Sequence, residues 1–163
     1  MTENNSAAVE QDTMLEEALG TPVETESRNY LTFVTDGLFM GVDARCVVEI
    51  LNNYTITPLP MTPDYILGIF NMRGAIIPIL DIRLKLGKTK SEENLLVVIN
   101  YEGNQVGILV DSVDQMVEIA DNKILPMPSR SPQQLVSGMC PMPNGEGTLL
   151  ILDCEQLLGH DEQ

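Results

Sequence analysis

The chain has 163 residues, 44% of them hydrophobic, and a formal net charge of −15. That length holds one ordinary domain or two small packed subdomains and excludes a pair of independent enzyme domains. The acidic balance repels phosphate backbones and anionic lipid, so nucleic acid is excluded as a partner, and the longest apolar runs, Ile76 to Leu80 and Leu95 to Ile99, are far too short to cross a bilayer.

Residues 1–27 carry seven acids and no Lys or Arg, which predicts a solvated, disordered acidic N-terminal tail. They hold neither the basic cluster nor the apolar core of a signal peptide, so a cytoplasmic location is expected. The triplets Asn4-Asn5-Ser6 and Asn53-Tyr54-Thr55 then read as chance glycosylation matches.

From Tyr30 onward, short apolar runs are broken by Gly, Pro, Asp and Asn every eight to twelve residues, the rhythm of an all-β barrel or sandwich. Tyr30 to Val34, Asp36-Gly37 and Leu38 to Val42 form a hairpin signal, because Asp-Gly supplies the positive φ of a tight turn. A strand at Leu67 to Phe70 then runs into Asn71-Met72-Arg73-Gly74 and out along Ala75 to Leu80, which holds Arg73 on a short stiff loop. Leu95 to Tyr101, Glu102-Gly103-Asn104 and Gln105 to Val110 repeat the hairpin device.

The correspondence continues in order. Val48-Glu49-Ile50 returns as Val117-Glu118-Ile119, Ile56 to Pro60 as Ile124 to Pro128, Gly68-Ile69 as Gly138-Met139, and Ile79-Leu80-Asp81 as Ile151-Leu152-Asp153. The offsets are 69, 68, 70 and 72 residues, which marks two copies of a unit of roughly 65 residues. The expected architecture is therefore all-β, with two packed five-stranded, SH3-like β-barrel subdomains and short connecting helices. The folded part spans 28–163, its halves run roughly over 30–90 and 94–159, and strand exchange between them is admitted. Prolines 58, 60, 63, 126, 128, 132, 141 and 143 belong on edges and connections, since Pro cannot donate to a ladder.

Asp81, Asp111 and Asp153 invite an alternative reading, a metal- or nucleotide-dependent phosphoryl-transfer protein. Gly87-Lys88-Thr89 adds the tail of a phosphate loop, but the full motif needs glycine at 82, where Ile82 stands. The aspartates read better as caps of short helices after strands, at 81–86 and 153–158, with Leu86 and Leu158 returning to the core and Gly87 and Gly159 ending each turn. Three cysteines without C-x-x-C spacing and a lone His160 offer no zinc site, so no metal or cofactor is expected. Cys46, beside Arg45, reads as a small buried hydrophobe rather than a reactive thiol. No catalytic residues are visible, and the chain reads as a binding module.

Arg73 on its turn and Glu49 among β-branched residues are the charged oddities. At these residues the chain resembles the CheW family, the adaptor proteins of bacterial chemosensory arrays. The resemblance rests on Val47-Val48-Glu49-Ile50, Pro58-Leu59-Pro60, the run from Tyr65 to Gly74, Ile77 to Asp81, Val106 to Val113 and Ile151 to Asp153. It covers Tyr30 to about Gly159. It implies a non-enzymatic scaffold that couples the cytoplasmic tips of chemoreceptors (methyl-accepting chemotaxis proteins) to the regulatory domain of the histidine kinase CheA. It further implies Val47, Glu49 and Arg73 as receptor- or kinase-contact positions and a stand-alone adaptor rather than a CheV-type or CheA-type fusion.

Overall fold

The computed structural model describes residues 26–85, 95–127, 135–143, 145 and 147–158. Nearly all of the expected tail, together with Leu86, Gly87 and Gly159 and the side chain of Leu158, lies outside the described residues.

The strands, in chain order, are β1 (Ser27–Thr35), β2 (Leu38–Asp43), β3 (Val47–Leu51), β4 (Ile66–Met72), β5 (Ala75–Asp81), β6 (Leu95–Tyr101), β7 (Asn104–Val110), β8 (Ser112–Ala120), β9 (Leu125–Pro126), β10 (Val136–Pro141) and β11 (Thr148–Leu152). Two short helices, α1 (Ile82–Lys85) and α2 (Cys154–Leu158), follow β5 and β11. Single 3₁₀ turns at Ala44–Cys46 and Asp121–Lys123 precede and follow the repeated Val-Glu-Ile strands.

The strands form two sheets, ordered β8-β1-β2-β11-β10-β9 and β3-β6-β7-β5-β4. Each takes its hairpin from one half of the duplicated sequence and its other strands from the other half. Hairpin β1–β2 is flanked by β8 and β11, antiparallel and parallel respectively. Hairpin β6–β7 is flanked in the same way by β3 and β5. Among the described residues the ladders do not close into complete barrels, because β8 and β9 end the first sheet and β3 and β4 the second. The sixth strand of the first sheet, β9, is only two residues long, and its counterpart in the first half is the single bridge Thr57 to Ile69.

Each sheet still curls around a core of its own. Tyr30, Val117, Ile119, Cys140, Met142, Leu149 and Ile151 fill the first, and Phe70, Ile77, Ile79, Leu96, Val98 and Leu109 the second. The largest core lies between the sheets, where Phe33, Met40 and Val42 meet Val97, Ile99, Ile108 and Val110. Burying both faces of a short strand explains why Leu96 to Ile99 form an unbroken apolar run, since each residue has a core to enter.

The hairpin turns follow their residues. Asp36-Gly37, Arg73-Gly74 and Glu102-Gly103 all take positive φ at both positions, the backbone that a two-residue turn requires. Asn71 and Asn100 each accept the N–H of the turn glycine three residues on, at 2.8 and 3.0 Å. The second hairpin therefore turns on two residues, and Asn104 opens β7. Pro78 sits inside β5, just before the ladder to β7 begins at Ile79, so its missing N–H interrupts no parallel pairing.

The duplication extends to the bulges. Ladder β4–β5 shifts register between Ile66 and Gly68, and β10–β11 between Val136 and Gly138. At both glycines the backbone is approached by the Pro-punctuated segment of its own half. A Cβ would lie 2.3 Å from the Thr57 carbonyl oxygen at Gly68 and 2.8 Å from that of Leu125 at Gly138. The backbone N–H groups of Asp81 and Asp153 donate to Tyr65 and Leu135 in matching fashion, at 2.8 and 2.6 Å.

Candidate functional site

Of the three expected contact residues, the structure brings two together. Glu49 on β3 meets Arg73 on the β4–β5 turn, with the guanidinium Nη2 2.9 Å from Oε1 and 3.1 Å from Oε2. The two residues are 24 positions apart. The Arg73 side chain is 70% exposed and that of Glu49 31%. A pair this open contributes only about 0.2–1 kcal/mol to stability, so its weight lies in fixing two charges on a stiff frame. Arg73 is held by its turn, φ 53°, and by the Asn71 cap beneath Gly74.

Val47 is not beside them. A register shift between Val47 and Glu49 makes Val48 the extra residue, pairing Val47 with Ile99 and Glu49 with Val98. Ile99 faces the inter-sheet core and Val98 the core of the second sheet. Alternation in Val47-Val48-Glu49 would place Val47 and Glu49 on one face, but the bulge sends them to opposite faces. Val47 packs half-buried against the inter-sheet core, while Val48 and Ile50 are 44% and 41% exposed. Ile76, just past the Arg73 turn, is also exposed.

Glu49 and Arg73 line an open hollow of about 500 Å³ together with Leu51, Tyr54, Phe70 and Met72. Asn53, Thr55, Thr57 and Asn71 complete the lining, and a mixed apolar and polar hollow with a charged rim and exposed aliphatic residues on the same strand makes a surface suited to binding another protein. The second half supplies an internal comparison. Glu118 takes the place of Glu49 and lines a hollow of about 310 Å³ with Lys123 and Met142, yet the repeat offset brings Pro143-Asn144-Gly145 to the place of Arg73. The fold therefore does not demand the pair, since the same frame is built without it.

The aspartates divide. The Asp81 carboxylate accepts the N–H of Arg83 at 3.0 Å and the Asp153 carboxylate that of Gln156 at 3.1 Å, each at the start of its helix. Asp111 caps no helix. Its Oδ2 accepts the Asp36 N–H at 2.8 Å and the Arg83 guanidinium at 2.9 Å, and Arg83 reaches Asp36 at 3.1 Å. Arg83 thereby ties the first hairpin turn to the end of β7. Sequence reasoning missed this arginine, whose only signal was a cation after the Asp81 cap. Among the described residues no group of three or more His, Cys, Asp or Glu side chains could hold a metal, and no helix is long and apolar enough to cross a membrane.

Cys46 is half-buried, and burial raises its thiol pKa, against the opposing pull of Arg45. Asp43 is shifted the other way. The Arg45 guanidinium, donating at 2.8 Å, and the Arg45 N–H hold its carboxyl below the usual range, although burial acts in the opposite direction.

Known proteins resemble this chain along most of its length. A family model described as the CheW-like domain matches residues 29–162. The chemotaxis protein CheW of Klebsiella aerogenes is 32% identical over 145 residues, covering 85% of this chain and 86% of that protein. The chemotaxis protein CheW of Treponema pallidum is 27% identical over 153 residues, covering 86% and 87%. The crystal structure of the scaffolding protein TtCheW from Thermoanaerobacter tengcongensis superposes with a TM-score of 0.75 at 25% identity, covering 85% of this chain and 97% of that one.

Proposed function

The chain belongs to the CheW-like family of non-enzymatic chemotaxis scaffolds, and on that premise we propose that it couples the cytoplasmic tips of chemoreceptors to the regulatory domain of the histidine kinase CheA. Its place of work is the cytoplasmic face of a membrane-bound receptor array. The observation that supports this reading is the Glu49–Arg73 bridge on an open hollow of mixed lining, in one half of a duplicated frame whose other half has no arginine at the matching place. Apolar contact supplies affinity and the fixed charges supply register. Val47 contributes from beneath, packed against the inter-sheet core on the opposite face of the bulged strand from Glu49.

The test is titration against a receptor cytoplasmic fragment and against the CheA regulatory domain. Arg73→Glu sets two carboxylates face to face and is expected to weaken at least one partner by tenfold or more, while the circular dichroism spectrum stays that of the wild type. Charge reversal at Glu102, on the β6–β7 turn, serves as the control and leaves both affinities within twofold. Wild-type binding of both partners by Arg73→Glu, or unfolding of that variant, would return Arg73 to a structural role.

A further inference from the structure

The scaffold reading uses none of the three free thiols. Cys140 belongs to the core of the first sheet. Cys46 and Cys154 come from distant parts of the sequence, line one cleft and lie within each other's electrostatic reach. Cys46 closes the 3₁₀ turn by which the chain passes from β2 in the first sheet to β3 in the second. Cys154 opens α2, where the chain leaves β11, and three residues later Leu157 enters the inter-sheet core. Cys154 is a member of that core and Cys46 packs against it. Both also line an open cleft of about 560 Å³ whose walls come from both sheets and include Tyr30, Asp43, Arg45 and Tyr101. Both thiols are anchored at the inter-sheet core, and the open cleft admits a small molecule.

We propose that Cys46 and Cys154 form a dithiol modification site, which a small hydroperoxide converts to an intramolecular disulfide that locks the C-terminal helix to the crossover between the sheets. The more exposed Cys46 sulfur attacks the peroxide O–O bond, giving Cys46 sulfenic acid and releasing water from hydrogen peroxide, or an alcohol from an organic hydroperoxide. The Cys154 sulfur then displaces the sulfenic oxygen, which leaves as a second water carrying the Cys154 proton. Two thiols are oxidised and one peroxide is reduced. Closure then brings the two sulfurs to a bond of about 2.05 Å.

The surroundings set the rate. Burial raises both thiol pKa values. At Cys46, Asp43 adds to this and Arg45 opposes it, while at Cys154 the neighbouring Cys46, Asp153 and Asp43 all push the same way. Few molecules hold the nucleophilic thiolate at neutral pH, so closure is slow there and accelerates as the pH rises toward 9. The behaviour is that of a stress-responsive staple, not of a turnover peroxidase.

The experiment exposes the full chain to hydrogen peroxide under native conditions, quenches with N-ethylmaleimide, and follows intact mass and disulfide-linked peptides. The expected product has lost two hydrogens, carries a Cys46–Cys154 cross-linked peptide, keeps one alkylatable thiol on denaturation, and melts at a higher temperature until dithiothreitol is added. Cys140→Ser keeps the cross-link. Cys46→Ser abolishes it and leaves Cys154 alkylatable. Oxidation of Cys46 to sulfinic acid with Cys154 still a thiol, a link to Cys140, or disulfides only between molecules would each overturn the proposal.

Discussion

Asp111 accepts the backbone N–H of Asp36 at 2.8 Å across 75 positions of sequence, so a carboxylate at the end of the second sheet completes a turn in the first. Val34 stands where an asparagine accepts the turn-glycine N–H in the other two hairpins. This turn is tied instead through the N–H of the residue before its glycine, and Arg83 neutralises the acceptor.

Arg83→Ala is expected to destabilise the protein by about 2 kcal/mol, because it leaves the Asp36 and Asp111 carboxylates facing each other with their shared cation gone. Asp111→Asn should cost less, since an amide oxygen still accepts the Asp36 N–H. Urea unfolding reads both, and equal midpoints for wild type and Arg83→Ala would refute the coupling.

Gly68→Ala and Gly138→Ala test the duplicated bulge. Both place a methyl group against a carbonyl oxygen, and Gly68 adds a φ of 150°, which L residues rarely adopt. Losses of about 2–4 kcal/mol are expected, with Gly68 the worse. A wild-type thermal midpoint for either variant would show that the Pro-punctuated segment yields.

Asp43 governs part of the acid limb of stability. Its folded pKa is depressed, first by the Arg45 side chain. Such a carboxyl adds stability above its unfolded pKa, about 4, and loses it as the pH falls through the lower folded value. Wild type should therefore exceed Asp43→Asn by a constant margin, about 0.5 kcal/mol, at pH 5–7. The margin should shrink below pH 4 and under high salt. A gap unchanged down to pH 2 would assign it to packing.

Asp153→Ala removes the acceptor for the Gln156 N–H and should cost about 1 kcal/mol. Because α2 carries Leu157 into the inter-sheet core, hydrogen exchange should quicken across 154–158 ahead of the sheets. Uniform acceleration would mean that the helix does not open on its own.

What was legible in the chain was local. Asp36-Gly37 and Glu102-Gly103 announce their turns because positive φ is a property of adjacent residues, and the Asp81 and Asp153 caps lie within three residues of the N–H groups they serve. The fate of Val47 was not legible. Val47-Val48-Glu49-Ile50-Leu51 is apolar on both sides of Glu49, and which face each residue takes depends on the pairing with β6, some fifty residues away. Arg83 was hidden for the same reason, since its two acids come from two other turns. The sequence halves were visible as repeats, whereas the exchange of their hairpins is written in no single stretch, because either hairpin would satisfy either sheet.

That exchange has a consequence for synthesis. The second sheet is contiguous, from Val47 to Val110, whereas the hairpin of β1 and β2 finds its flanking partners only among residues 112–152. A chain emerging from the ribosome makes the first hairpin earliest and seats it last. During the interval the hairpin that carries Phe33 and Met40, fully buried in the finished protein, lacks its flanking strands β8 and β11. Truncation between Val110 and β11 strands that hairpin, so such fragments should be bound by chaperones or aggregate, even though the second sheet they contain is complete.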